Sequence, residues 1–395
     1  MNPRSVALLT VASPPGPPQG VAAYSAALVG ALAPSEFDIT VWSQRQTRAA
    51  ARQDRGEEAI GVWRPGILAG PDLFRQLRRM RPDLLHVQFE FGIYGGTLGL
   101  LSLLGALALG RAVFKQRVVV TLHQVPSARD LTAEWLRRSG IYLPAWAGRL
   151  VVRSVVSTLR RSSDRLIVHA DVFRDRLRSE WGVGSPPEVV PHGVALTGQA
   201  SGPDEETADA PGVDARGADA HRLLLFGYLK WYKGIEIAIE AFRRLADEFP
   251  QWTLTIAGPS TSDAYLEMLR RVARSLGSRV EFLGRVDDDR VTDLFRHSSV
   301  VLLPYRRLFS ASGPLAQALG HAVPFVISEE LRPLCPGWPH WARPDPEEWA
   351  RVLRPLMSDG AVRATAGRLA AALAQGWGWP MVAERTLEIY RVVLS

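Results

Sequence analysis

Lys230 and Lys233 fall in the stretch FGYLKWYKG, directly after the apolar run HRLLLFG and directly before a helical pattern. Where a buried strand ends and a helix begins, unpaired backbone amides and the positive end of the helix dipole converge. Two ammonium groups there favour an anion, and Gly234 lets the backbone approach it closely. A phosphate group is one ligand that fits. The same residues read equally as a solvated basic turn, because neither G-x-x-x-x-G-K-[ST] nor G-x-G-x-x-G is present. The lack of the second pattern also argues against a nicotinamide enzyme.

Other residues able to do chemistry are scattered. His123 closes the β-branched run VVVTLH and, on its own residues, reads as a histidine packed at a sheet edge. His86 and His169 lie inside strand patterns and read as structural. Glu90 follows the strand-like DLLHVQFE and is either a ligand for a hydroxyl group or a solvated loop carboxylate. Asp287–Asp289 have the D-x-D spacing of a metal pair, yet they suit the start of a helix, where Asp is favoured.

The elements that must position these residues alternate along both halves. After Arg222–Gly227 come Ile235, Ala238, Ile239, Phe242 and Leu245 at helical spacing, then Trp252, Leu254 and Ile256 at strand spacing. RVEFLG, VVLLP and PFVIS follow as strands with helices between them. The first half runs SVALLTV, a helix from Gly20, DITVWS, a helix near LFRQLRRM, DLLHVQFE, RVVVTLH and RLIVHA. This order predicts an α/β fold: two Rossmann-like domains with parallel sheets facing a central cleft, where ligands meet the carboxyl ends of strands.

The chain has 395 residues, 47% hydrophobic and 22% charged, enough for two cored domains. Expected boundaries are 1–198 for the first domain, 199–221 for an acidic linker, 222–379 for the second domain and 380–395 for a helix returning to the first. The linker reading rests on Ala, Gly, Asp and Pro without apolar periodicity. The single cysteine, Cys335, excludes an internal disulfide and fits a reducing cytoplasm. MNPRSVALLTVASPPG reads as a first strand rather than a signal peptide. Residues 1–198 carry 24 basic and 15 acidic side chains, so the basic excess lies in the first half. An anionic substrate, an anionic membrane or nucleic acid could each account for it, but no nucleic-acid recognition motif accompanies the charge.

Taken in order, the pieces resemble a family 4 glycosyltransferase of the two-domain GT-B type. PPQGVAAYSAAL, DLLHVQFEFGIYGG, VVVTLHQ, DRLIVHADVFRDRL and VVPHGV match its first half. LLLFGYLKWYKGIEIAIEAF, LTIAGP, VEFLGRV and SASGPLAQALGHAVPFVIS match its nucleotide-binding half. The resemblance implies transfer of a sugar from a nucleoside-diphosphate sugar to an acceptor hydroxyl with retention at the anomeric carbon. It implies that Lys233 contacts the diphosphate and that Lys230 takes the place of the family's arginine, since Tyr228 follows the glycine. By the same resemblance Gly20, Gly258, Gly284, Arg285, Ser312, Gly313, Pro314 and Leu315 line the donor, His123 serves catalysis, and Glu90 faces the acceptor. No metal and no cofactor beyond the nucleotide-sugar, a UDP-sugar or a GDP-sugar, are implied.

One departure stands out. Two glutamates common in the family correspond here to Ser310 and Ala318, and the family's VGG turn reads ISEELRPL. The competing reading is therefore a catalytically silent GT-B protein that binds a nucleotide or a partner. The acceptor is a sugar, a lipid-linked molecule or a small molecule. The uncharged run Ile93–Gly110 is expected to be a buried helix. EWLRRSGIYLPAWAGRLVVRSVVSTLRR reads either as an amphipathic helix pair of the fold or as a peripheral contact with an anionic membrane.

Overall fold

The computed structural model describes residues 3–11, 20–45, 59–138, 143–196 and 221–395. Of the expected linker only His221 is among them; 199–220 lie outside the described residues. The chain divides into two compact units. The first holds Met1–Gly193, Phe309–Ala311 and Trp379–Ser395; the second holds Val194–Leu308 and Ser312–Gly378.

Within the first unit, β1 (Arg4–Leu9), β2 (Phe37–Gln44), β3 (Ile60–Trp63), β4 (Leu84–Phe89), β5 (Arg117–Leu122), β6 (Arg165–Val168) and β7 (Glu188–Val189) form one sheet. Their order is β3-β2-β1-β4-β5-β6-β7, and every pairing is parallel. Parallel strands buried on both faces must be apolar almost throughout. Accordingly, all six residues of β4 are buried. His86 and Gln88 in that strand are polar exceptions, and they need internal partners.

The second sheet contains β8 (Arg222–Phe226), β9 (Thr253–Ala257), β10 (Val280–Gly284), β11 (Val300–Leu303), β12 (Phe325–Ser328) and β13 (Trp341–Ala342). Its order, β10-β9-β8-β11-β12-β13, repeats the doubly wound pattern, again all parallel. In both sheets the strand order reverses beside the first strand, the place where such folds bind ligands. The fold is α/β with two Rossmann-like sheets.

Several boundaries differ from the sequence reading. The first unit ends at Gly193 rather than 198, because Val194 N–H bonds the Trp377 carbonyl (2.8 Å) and pairs with Gly378. The last helix begins at Trp379, one residue before the expected 380. It packs beside the helix Val21–Leu32. Its Val382, Leu387, Tyr390 and Val393 join Val6, Leu8, Leu28 and Leu84 in one apolar cluster. Gly193 is what admits Trp379: a Cβ there would lie 2.4 Å from the indole.

The uncharged run was expected to be buried, but the helix Gly96–Phe114 buries only one face. Leu100, Leu103, Leu104 and Leu107 are inside, while Leu98, Leu101, Leu109 and Val113 face solvent. Among the described residues the helix is covered on one side only, so its outward positions stay apolar without being core. The Arg- and Trp-containing segment forms two helices, Ala133–Arg138 and Ala145–Ser162.

Candidate donor site and a buried histidine chain

In the second unit Lys230 and Lys233 follow β8 and the Ser312–Leu315 turn follows β11, the neighbouring strands at which the order reverses, while Gly258 follows β9 and Gly284 ends β10. After β8 the chain turns at Gly227 (φ 99°). Lys230 then precedes the 3-10 turn Trp231–Lys233, and the helix Ile235–Leu245 starts behind Gly234 (φ 62°). Only glycine fits at 234, where a Cβ would come within 2.1 Å of the Pro304 carbonyl oxygen. The loops also touch backbone to backbone: a Cβ on Gly258 would lie 2.3 Å from the Gly227 oxygen, and Gly258 N–H donates to Gly284 O at 2.6 Å.

After β11, Ser312 caps the eight-residue helix Gly313–Gly320, its Oγ accepting from Leu315 N–H at 3.3 Å. Pro314 occupies the first turn, where a missing N–H costs least. The Tyr305 hydroxyl lies 3.1 Å from the same Ser312 Oγ. Lys233 reaches this helix start. Its Nζ is 5.2 Å from the Tyr305 ring centroid, and a Cβ on Gly227 would lie 2.9 Å from Nζ and 3.1 Å from Pro314 Cγ.

The Lys233 ammonium has no carboxylate and no hydrogen-bond acceptor among the described residues. Burial lowers its pKa to about 8, since little water remains to solvate the charge. A desolvated cation beside a helix N-terminus is a site for an anion. Lys230 is arranged differently, with Nζ 5.6 Å from the Tyr228 ring centroid. Arg285 is exposed beyond Gly284. Asp287 is the N-cap of the helix Asp288–Arg296 in extended backbone. Among the described residues no group of three or more His, Cys, Asp or Glu could hold a metal ion.

The first unit carries a separate cluster. Gly20 (φ 57°) starts the helix Val21–Leu32, which brings in Tyr24. The Tyr24 ring lies 4.8 Å from His123, 5.0 Å from His169 and 5.3 Å from His192, centroid to centroid. His123 follows β5 and donates its backbone N–H to Phe89 O. Its Nε2 is 2.8 Å from Gln88 Oε1, and its Nδ1 is 3.1 Å from His169 Nε2. His169 Nδ1 lies 3.0 Å from the Val190 carbonyl. His86 bonds Thr121 Oγ1 at 2.8 Å and the Tyr390 hydroxyl at 2.6 Å, and is 3.2 Å from Gln88 Nε2.

Burial depresses the pKa of His86 and of His169 to about 3. It also drives His123 well below the usual histidine range, with the neighbouring histidines adding to the effect. All three are neutral near pH 7. Glu90 accepts from the Gln124 side-chain amide. Phe309–Ala311 belongs to this unit: Val125 N–H donates to Phe309 O at 2.8 Å, and Gln124 pairs with Ser310. The first position at which the family's carboxylate is missing is thus held by backbone pairing. The second, Ala318, is fully buried.

Residues 18–197 match the family model described as Glycosyltransferase Family 4, and residues 220–359 match that described as Glycosyl transferases group 1. The chain belongs to the family 4 glycosyltransferases. This glycosyltransferase is 27% identical to the D-inositol 3-phosphate glycosyltransferase of Kineococcus radiotolerans, over 98% of this chain and 94% of that one. It is 26% identical to a lipopolysaccharide core biosynthesis mannosyltransferase of Rhizobium leguminosarum, over 53% and 58% of the two chains. Among solved structures it is similar to Anabaena HepE in complex with UDP-glucose, with a TM-score of 0.72, 15% identity and coverage of 98% and 99%. Sucrose-phosphate synthase from Thermosynechococcus elongatus gives a TM-score of 0.74 at 17% identity, with 99% of each chain covered. These structures share the GT-B fold with it.

The glycosyltransferase thus gathers Lys233, Gly258, Gly284, Ser312, Pro314 and Leu315 in its second unit. Gly20, Glu90 and His123 lie in its first. Four contributors escaped the sequence reading: Tyr24, Gln88, His192 and Tyr305. For Gln88 a signal existed, since residues two apart in a strand share a face and Gln88 lies two beyond His86.

Proposed function

We propose that the enzyme transfers a sugar from a nucleoside-diphosphate sugar to an acceptor hydroxyl with retention of anomeric configuration. The observation that carries this reading is the Lys233 ammonium, without a carboxylate among the described residues, at the Ser312-capped helix start. As the bond from sugar to phosphate breaks, negative charge grows on the leaving diphosphate. A fixed cation and helix amides stabilise that charge more in the transition state than in the ground state. Gly227, Gly258 and Gly284 let phosphate oxygens approach backbone. Lys230 takes the outer, solvent-facing part of the diphosphate.

His123 acts as a neutral imidazole toward the transferred sugar. Both of its nitrogens have internal partners, so a hydrogen bond to the sugar replaces the one with Gln88 or His169. The complexes and relatives support a UDP-sugar as the first donor to test and a polyol phosphate as the first acceptor. Incubation with UDP- and GDP-sugars, with nucleoside diphosphate release as the readout and the product anomer assigned by proton NMR, tests the proposal. Release that is unchanged in Lys233→Met, or an inverted product, would count against it.

A further inference from the structure

An ordinary surface helix turns a polar face to water. The helix Gly96–Phe114 does not. Its outward stripe runs Leu98, Leu101, Gly105, Leu109 and Val113, and the four large residues are 62%, 58%, 54% and 59% exposed. The inward face packs into the first unit, so the helix lies along the protein surface rather than projecting from it. Contiguous exposed apolar surface of this kind marks an interaction site.

The flanks say what covers it. The helix packs against Ala69–Met80 and against Ala145–Ser162. On the first neighbour, Arg78 and Arg79 face solvent near exposed Met80. On the second, Trp146 (65% exposed) and Leu150 extend the apolar surface, and Arg153, Arg160 and Arg161 face solvent. None of these five arginines has a carboxylate partner among the described residues. Neither Gly96–Phe114 nor Ala145–Ser162 contains an Asp or Glu. The one acid of the other helix, Asp72, is buried and held by Arg64 and Arg75. An apolar strip bordered by cations, with a tryptophan at its margin, has the chemistry of an amphipathic surface that enters the headgroup region of an anionic bilayer.

We infer that this face docks the first unit onto an anionic phospholipid membrane, with Leu98, Leu101, Leu109 and Val113 entering the acyl boundary and the flanking arginines meeting lipid phosphates. The inference does not rest on the transfer reading, because binding is measured without donor or acceptor. The test is sedimentation of the full chain with vesicles of phosphatidylcholine, alone or mixed with phosphatidylglycerol, at low and high salt. The protein is expected to sediment with the mixed vesicles and much less with the neutral ones, and to be released by salt. Leu101→Ser/Leu109→Ser, at outward positions that leave the core intact, should lower binding about tenfold or more. Arg153→Ser/Arg160→Ser/Arg161→Ser should lower it about fivefold per charge at low salt. Brominated lipid should quench fluorescence in the parent and less so in Trp146→Phe. Equal binding to both vesicle types, no binding to either, or a dimer in sedimentation velocity that the double leucine variant dissolves would each overturn the inference.

Discussion

His123 Nδ1 and His169 Nε2 lie 3.1 Å apart inside the first unit, and that contact fixes the protons of a whole chain. A carbonyl only accepts, so His169 must present Nδ1–H to Val190 O. Neutral His169 then has a lone pair on Nε2, and His123 donates to it from Nδ1. This leaves a lone pair on His123 Nε2, facing the Gln88 amide. A neutral chain closes when the Gln88 NH2 group, rather than its oxygen, points at His123; amide orientation is assigned from such networks. His86 then donates from Nε2 and accepts from the Tyr390 hydroxyl. In nitrogen-15 NMR, His123 is expected as the Nδ1–H tautomer and His86 as the Nε2–H tautomer.

Acid should loosen this unit. The folded pKa values of His86 and His169 are lowered to about 3, below the unfolded value near 6.5. Between those limits the unfolded chain binds more protons, so stability rises with pH and falls on acidification. The stabilising contribution is full above pH 6.5 and shrinks by about 2 kcal/mol per histidine on reaching pH 5. Urea melts from pH 8 to 5 check this, and His169→Gln should show a shallower slope than the parent.

Lys233 titrates in the opposite range. Its pKa falls to about 8 in the folded protein, below an unfolded value of 10.5. Unfolded chains therefore bind the extra proton between pH 8 and 10.5, and stability of the ligand-free protein rises across that window. Lys233→Met should flatten the rise and lower nucleoside-diphosphate affinity about tenfold or more, since a charge-assisted bond is lost. Affinity of the parent should fall above pH 8 as the ammonium loses its proton, while the bare nucleoside binds alike in both proteins. Calorimetric titration at pH 7 and 9 reads both effects; diphosphate binding that is equal in mutant and parent would leave Lys233 an ordinary lysine.

Gly227 separates Lys233 from Pro314. A Cβ there meets Nζ at 2.9 Å and sits on a backbone with φ 99°. Gly227→Ala is expected to weaken diphosphate binding and to cost on the order of 1–3 kcal/mol in backbone strain. Gly258→Ala should cost more, because its Cβ meets the Gly227 carbonyl, which cannot swing aside as a lysine can. Parallel thermal melts and titrations rank the two.

His123→Ala should lower kcat with little change in KM for the donor, as expected when an interaction made mainly in the transition state is lost. Tyr390→Phe removes the hydroxyl that satisfies buried His86 and should cost about 1–3 kcal/mol of stability. Circular dichroism melts alongside initial rates separate the two effects. Unchanged rates in a folded His123→Ala protein would make this histidine structural.

The turn that carries Lys230 and Lys233 was legible because its signals are local. An apolar run, glycines and an amphipathic helix succeed one another within a few residues, and the two lysines sit at the junction. Tyr305 was not legible: its hydroxyl finds Ser312 only through the fold of the intervening turn. Strands β3 and β7, four and two residues long, carry too few positions for a periodicity to show. His86 and His169 read as structural one at a time, and their joint chain depends on strand neighbours far apart in sequence. The run Ile93–Gly110 was read as buried because composition registers apolarity without registering which face lacks a cover.

The bond between His86 and Tyr390 spans 304 positions of sequence. That separation sets a timetable for biosynthesis. The apolar cluster of the first unit includes residues of the final helix, so it stays incomplete after Gly193 has left the ribosome. At ordinary elongation rates the nascent first unit waits roughly 10–40 s for its last helix. Through that interval Leu8, Leu28 and Leu84 lack part of their cover, and a transcript cut short before Trp379 yields an N-terminal half whose core cannot be finished.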